Sequence, residues 1–400
     1  MSRLATGLVL IALAGCGSEQ SPPTGSAQSD SAGIRIIAST GTPPQLEATP
    51  LVSIGELAGD EAYTFNHIAD IELRNDGSVY VLDGADNMVK VYDSTGQHRF
   101  SFGGDGEGPE EFLDASNLIS WPDTIAVFDW RLQKIAKFDP NKGTLLGTER
   151  VPYQLPLAGF PRSAERLSSG LYLVVGMTGC QLPRTASTSK WRVFRLLAEV
   201  GITDTLASLP RGNDLPFYGE GDSFCAAPSF PFGASPVLAA DSMRLVVTSG
   251  EQGDVRIYRE PRVLQSPDEI WRYELTPTPV TAEDRAAYED LFAAADPKFH
   301  EGFMKALAER GYPQEWPSII GLLIDSEGRV WAERGAQESA AHQTWDVLDP
   351  GGEHLATVRF PAGVHLKAVS ADRAAATRRD ELDVQYVELL QIPQLPGPSP

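Results

Sequence analysis

A chain of 400 residues with a net charge of −21 and only three cysteines excludes several classes at once. A phosphate-backbone binder needs clustered Lys and Arg, and a disulfide scaffold or Cys-rich zinc domain needs more cysteine; 42 % hydrophobic and 22 % charged residues exclude disorder as the overall state. Gly 37 and Pro 30 exceed average usage and point to many turns, in a chain long enough for two or three domains of ~150 residues or for one long all-β ring.

Met1-Ser2-Arg3 supplies one positive charge, and Leu4 to Ala14 is apolar apart from Thr6 and Gly7. The run is too short for a membrane span of ~20 residues and reads as a secretory signal over residues 1–15. It ends Leu13-Ala14-Gly15-Cys16, which resembles the lipobox of bacterial lipoproteins. That resemblance implies acylation of Cys16 and attachment to a membrane through the N-terminal lipid. Gly17 rather than Asp, by resemblance to the Gram-negative sorting rule, implies the outer membrane, facing periplasm or cell surface. Residues 17–33 are rich in Ser, Pro, Gly and Thr without apolar periodicity, so a flexible tether is expected over 16–45.

Further along, Val79 to Asp83 (VYVLD) aligns with Ile125 to Asp129 (IAVFD), and Val89 to Asp93 (VKVYD) with Ile135 to Asp139 (IAKFD), both at an offset of 46. The runs are β-branched and aromatic, and Asn75-Asp76-Gly77, Gly84 to Asn87 and Ser94-Thr95-Gly96 punctuate them as turns. One unit is four short antiparallel strands. Looser copies carry Leu171 to Val175 with Trp191 to Leu196, Leu245 to Thr248 with Val255 to Tyr258, and Val330 to Ala332 with Trp345 to Asp349. The last copy, Leu366 to Ser370 with Ala374 to Thr377 and Val384 to Leu390, lacks a fourth strand. Leu51 to Ile54 is a strand without a copy of its own, and placing it in the last unit leaves no open end.

Residues 79–112, VYVLDGADNMVKVYDSTGQHRFSFGGDGEGPEEF, resemble the NHL repeat, with Met88 where that family often has Arg. The layout is similar to that of the bacterial 6-bladed β-propeller lipoproteins. The fold expected is all-β: a six-bladed propeller of four-stranded antiparallel blades over 46–393, closed by the N-terminal strand, with a disordered tail over 394–400. Two insertions break the period. Gly176 to Lys190 carries Cys180. The second, 281–312, reads as a helical hairpin: Thr281 caps with Asp284, a stripe of Ala286, Ala287, Leu291, Phe292 and Ala295 follows, and Asp296-Pro297 starts a second helix that Gly311 ends. It is a lid or a side buttress.

In an oxidising compartment Cys180 and Cys225 read as a disulfide. Gly103 to Gly108 lacks the Lys-Ser/Thr of a phosphate loop and reads as an inter-blade connector, although Asp105, Glu107 and Glu110 are chemically able to hold calcium. His300-Glu301 lacks the second His of a zincin motif, no hydrolase elbow occurs, and the seven Trp read as core. No cofactor is required, with calcium or another divalent metal the one allowed. His67, Asp70, Arg162 and His365 fall near blade starts, where some propeller enzymes, the lactonase and amidating-lyase relatives, bind metal. They form the candidate ligand cluster.

The function expected is a binding or scaffold module of the cell envelope for a protein or small ligand, monomeric, with no nucleic acid and more a binder than an enzyme. The alternative is a metal-dependent lyase or lactonase-type hydrolase with its site at the channel mouth. Too few His and carboxylate residues sit at blade starts to favour it.

Overall fold

The computed structural model describes residues 25–152, 159–166, 171–178, 190–197, 200–210, 215, 217–218, 225–226, 230–251, 253–259, 266–292, 297–336 and 342–397. The signal segment 1–15, Cys16 and Cys180 lie outside them. Cys225 starts a two-residue strand, and its side chain also lies outside the described residues, so the expected disulfide and lipidation fall there too.

Four strands open the described chain: β1 (Gly25–Ser31), β2 (Ile34–Thr40), β3 (Gln45–Glu47) and β4 (Thr49–Ile54). Then come sheet I, β5 (Ile68–Leu73), β6 (Val79–Asp83), β7 (Met88–Tyr92) and β8 (His98–Gly103), and sheet II, β9 (Ala115–Trp121), β10 (Thr124–Asp129), β11 (Lys134–Phe138) and β12 (Leu145–Arg150). Sheet III holds β13 (Gly159–Arg166), β14 (Leu171–Thr178), β15 (Lys190–Leu197) and β16 (Gly201–Pro210). A ribbon of β17 (Phe217–Tyr218) and β18 (Cys225–Ala226) follows. Sheet IV has β19 (Val237–Ala240), β20 (Arg244–Thr248), β21 (Asp254–Arg259) and β22 (Glu269–Arg272). After helices α1 (Ala282–Phe292) and α2 (Pro297–Arg310) come sheet V, β23 (Ile319–Ile324), β24 (Val330–Arg334), β25 (His342–Leu348) and β26 (His354–Pro361), and sheet VI, β27 (Val364–Val369), β28 (Arg373–Arg379) and β29 (Gln385–Gln391). Each sheet is an antiparallel meander, and the first strands β5, β9, β13, β19, β23 and β27 neighbour one another in turn, with β27 returning to β5. The chain is an all-β propeller with few helices.

The second strands of sheets I and II are buried on both faces because each sheet is sandwiched between two others: every residue of β6 is buried, and all but the first of β10. The core therefore lies between sheets. Tyr80, Val89, Phe102, Phe112, Ile125 and Phe138 pack between I and II, and Trp271, Trp331 and Trp345 are among the largest fully buried side chains. The tight turns are held by aspartates. Asp93 Oδ1 accepts from the Thr95 and Gln97 amides, and Asp76, Asp139, Asp325, Asp349 and Asp380 do the same for the amides that follow them. A part of the acidic charge is thus committed to turn geometry.

Side-chain amides stitch one sheet to the next. Asn87 Oδ1 accepts from the Ala115 amide (2.9 Å), Gln385 Oε1 from Ile68 (2.9 Å) and Gln343 Oε1 from Leu366 (3.4 Å). Each joins a third strand, or the turn before it, to the first strand of the following sheet. Asn87 also holds φ +49, a left-handed conformation it tolerates better than most residues. Asn87→Ala is expected to cost about 2–3 kcal/mol in urea unfolding, since the buried Ala115 amide loses its acceptor.

Residues 25–45, expected as part of a tether, are largely strand. Gly25–Ser31 and Ile34–Thr40 pair as a hairpin, and β2 lies parallel to β22, extending sheet IV to six strands. β3 lies parallel to β26 on sheet V, and β4 pairs antiparallel with β29 as the outer strand of sheet VI. A polar hairpin strand facing solvent needs no apolar face, so its composition reads as linker. Within the expected disordered tail, Leu395 packs against the core between V and VI; residues 398–400 lie outside the described ones. Thr281 and Asp284 cap α1 reciprocally as expected from the sequence. The alanine stripe is displaced: Ala286 and Ala287 are exposed, and α1 packs through Tyr288 against Phe232 and Phe303, because the larger aromatic surface wins the buried side.

Candidate functional site

The first strands β5, β9, β19, β23 and β27 line a central channel of about 780 Å³. The turns between first and second strands, at Asn75, Asp76, Pro122, Asp241 and Ser326, border it, so it opens on that side of the ring. Its wall is mixed. Leu238 and Ala240 give sheet IV an apolar surface, Asp241 and Asp325 stand at its rim, and Asp70, Glu72, Arg74, Ser120 and Lys367 bring charge and polarity from I, II and VI.

Asp70 and Glu72 alternate with buried Ile71 and Leu73 along β5, so the period of two turns both carboxyls to the channel. Asp70 Oδ2 accepts from the Leu118 amide of sheet II (2.8 Å) and Oδ1 from Ile71 (2.9 Å). Burial pushes its carboxyl up to about 6, against those hydrogen bonds and the Lys367 charge. Burial and then the Asp70 charge push Glu72 up to about 7, against a Ser120 hydrogen bond and Arg74. The Arg74 guanidinium donates to the Trp121 carbonyl at 2.8 Å and to Pro122 at 2.5 Å.

These raised values set a sign. Between the ordinary 4.5 of a Glu and about 7, the folded chain holds a proton on Glu72 that the unfolded chain has released. Stability from this group is therefore full below the ordinary value and is lost as pH rises through about 7. Glu72→Gln is expected to match the native protein in urea midpoint near pH ~4 and to exceed it by about 1–2 kcal/mol above pH ~8.

A second cavity, of about 270 Å³, lies between sheets V and VI, lined by Trp316, Ile320, Glu333, Arg334, His342, Gln343 and His365. Burial pushes Glu333 up to about 7, with Lys367 opposing. Gly321 on β23 leaves room for it, since a Cβ there would meet the Glu333 carboxylate at 2.5 Å. Arg334 runs from this cavity into a buried cluster. Its Nε and Nη2 donate to Asp346 (both 2.7 Å), which also accepts from Thr357 Oγ1 (2.8 Å) and sits 3.1 Å from His354 Nε2.

The four candidates from the sequence are dispersed. Asp70 lines the channel and His365 the smaller cavity. His67 is exposed, its amide donating to Asp83 Oδ1, and lines neither cavity. Arg162 lies on β13 with its side chain outside the described residues. Among the described residues no three His, Cys, Asp or Glu side chains are grouped to hold a metal. The glycine-rich segment folds on itself: Asn87 Nδ2 donates to Asp105 (2.6 Å), Glu111 accepts from the Gly108 amide (2.9 Å), and Lys134 Nζ reaches the Gly108 and Glu111 carbonyls. Sequence reasoning missed Glu72 and Lys367. Glu72 was signalled by its place two residues after Asp70 in an alternating strand; Lys367 had no signal.

Among the described residues no helix is long and apolar enough to cross a membrane. No curated protein matches the sequence. A Bacteroides fragilis protein named as exported is similar in structure at 13 % identity, with 88 % of this chain and 99 % of that one covered and a TM-score of 0.46. Regucalcin from Agrobacterium tumefaciens, named as a calcium-binding protein, is similar at 10 % identity, 88 % and 98 % coverage and a TM-score of 0.41. At this level the neighbours carry no functional information. The family model described as a 6-bladed beta-propeller matches residues 56–167, the part of the chain that holds sheets I and II and the first strand of sheet III.

Proposed function

We propose that this protein is an exported, lipid-anchored, six-bladed β-propeller of NHL-like repeats that binds a small ligand in its central channel. In this reading β4 closes the ring, the helical pair is an insertion between the fourth and fifth blades, and Cys16 carries the lipid. One observation carries the binding role: a channel of about 780 Å³, open on the turn side, whose lining combines charged groups with an apolar surface. That volume and mixture suit a small molecule.

Filling the channel tests it. Leu238 and Ala240 alternate with Ala239, which packs into the core, so Ala240 faces the lumen. Thermal-shift screening of the mature chain against small polar metabolites is expected to find ligands whose stabilisation disappears in Ala240→Trp. Stabilisation that survives in the filled variant overturns the channel as the site. Separately, Cys16→Ser is expected to move the chain from the membrane to the soluble fraction; retention in the membrane fraction overturns the anchor.

A further inference from the structure

We propose that the channel takes a small zwitterion, a free amino acid or short peptide, with its carboxylate on the Lys367 ammonium and its ammonium group on the Asp70 and Glu72 carboxylates. This rests on the channel being the binding site and names the chemistry it selects.

Lys367 stands apart from the other interior cations. Lys90 Nζ donates to the Thr64 carbonyl (2.6 Å) and faces Asp83 (3.4 Å); Lys134 meets two carbonyls; Arg244 and Arg329 each meet an aspartate and a carbonyl. Lys367 lines the channel and makes no hydrogen bond and no ion pair with any described residue. Its charge is felt by Asp70 and Glu333, but Asp70 is turned toward two backbone amides. An ammonium in a partly desolvated wall gains most from an anion that comes to it.

Asp70 and Glu72 supply the opposite pole. Each Asp70 oxygen accepts one amide and keeps a lone pair, and Glu72 stands on the same side of the same strand. Arg74, which is committed to the Trp121 and Pro122 carbonyls, and Lys367 oppose the carboxyl charges only in part, so the wall presents both signs to a ligand. A molecule bearing both poles answers both charges, and the apolar surface of Leu238 and Ala240 receives its side chain.

Calorimetric titration of the full chain at about pH 8 with Ala-Leu, N-acetyl-Ala-Leu and Ala-Leu-amide separates the poles. The free dipeptide is expected to bind, and removing either charge to weaken it about tenfold or more. Lys367→Met is expected to weaken the free dipeptide by a similar factor while leaving the amide unchanged, Lys367→Arg to restore most of the loss, and Glu72→Gln to weaken the free dipeptide but not the acetylated one. Equal affinity for all three probes, equal affinity in Lys367→Met with its melting temperature retained, or no binding of the free dipeptide overturns the proposal. If screened ligands are lost in Ala240→Trp yet none depends on Lys367, the zwitterion is wrong and the channel stands. If Ala240→Trp still binds them, the channel itself is wrong.

Discussion

A chain that begins at Gly55 is expected not to reach a stable monomeric fold. It lacks β4, the outer strand of sheet VI, and with it Ile54, which is 2 % exposed against Phe65, Ile68 and Val387. It also lacks β2 and β3, so β22 and β26 become bare edges, and it loses Ile37, 1 % exposed in the core between sheets IV and V. Fully burying each such side chain contributes about 1.5–3 kcal/mol, and the strand pairing comes in addition. The loss approaches the whole ~5–15 kcal/mol that holds a domain folded. Size-exclusion chromatography and circular dichroism check it: aggregates or a non-cooperative melt are expected. A chain beginning at Gly41 keeps β3 and β4, and is expected to fold with a lower melting temperature. A cooperative monomer from the Gly55 chain at the native temperature overturns the role given to the N-terminal strands.

Asp346→Ala is expected to cost about 3–5 kcal/mol, the largest effect of any single substitution considered. Asp346 is fully buried, and its carboxylate is the shared partner of Arg334, His354 and Thr357. Burial works to raise its pKa, but the hydrogen bonds and charges of His354 and Arg334 outweigh it and hold the carboxyl below its ordinary 3.8. A depressed carboxylate contributes stability that is present above the ordinary value and is lost as pH falls through the folded one. Removing the carboxylate strands a guanidinium beside an imidazole. Urea unfolding at about pH 7 checks the magnitude. The acid side checks the cause, since native protein and variant are expected to converge as pH falls through the depressed value of the Asp346 carboxyl. A loss under about 1 kcal/mol at neutral pH contradicts the assignment.

The repeat was legible because its pattern is local. The VYVLD and IAVFD runs became β6 and β10, and their terminal Asp83 and Asp129 each clamp amides of the segment leading into their own sheet. Long-range partnership was not legible. GSAQSDS in β1 reads as linker, and only Ile34 to Ile37 hinted at a strand whose partner lies at Glu269–Arg272. The site divided in the same way. Asp70 was found from its place near the start of a first strand, but Lys367 joins it only once sheet VI lies beside sheet I, which no spacing in the chain announces. The charge of −21 is partly explained, since aspartate after aspartate is fixed in a turn.

The N-terminal strands also dictate an order of events. Arg35 pairs with Glu269, Gln45 with Thr357 and Thr49 with Gln391, so the first strands made are the last to find partners. Such distant pairing is slow, because the loops that separate the partners must be ordered first. Until then β22, β26 and β29 wait with open edges, and the N-terminal strands of a second copy fit them as well as the chain's own. Refolding at high concentration therefore favours exchanged dimers, and dilution favours the ring completed by its own beginning.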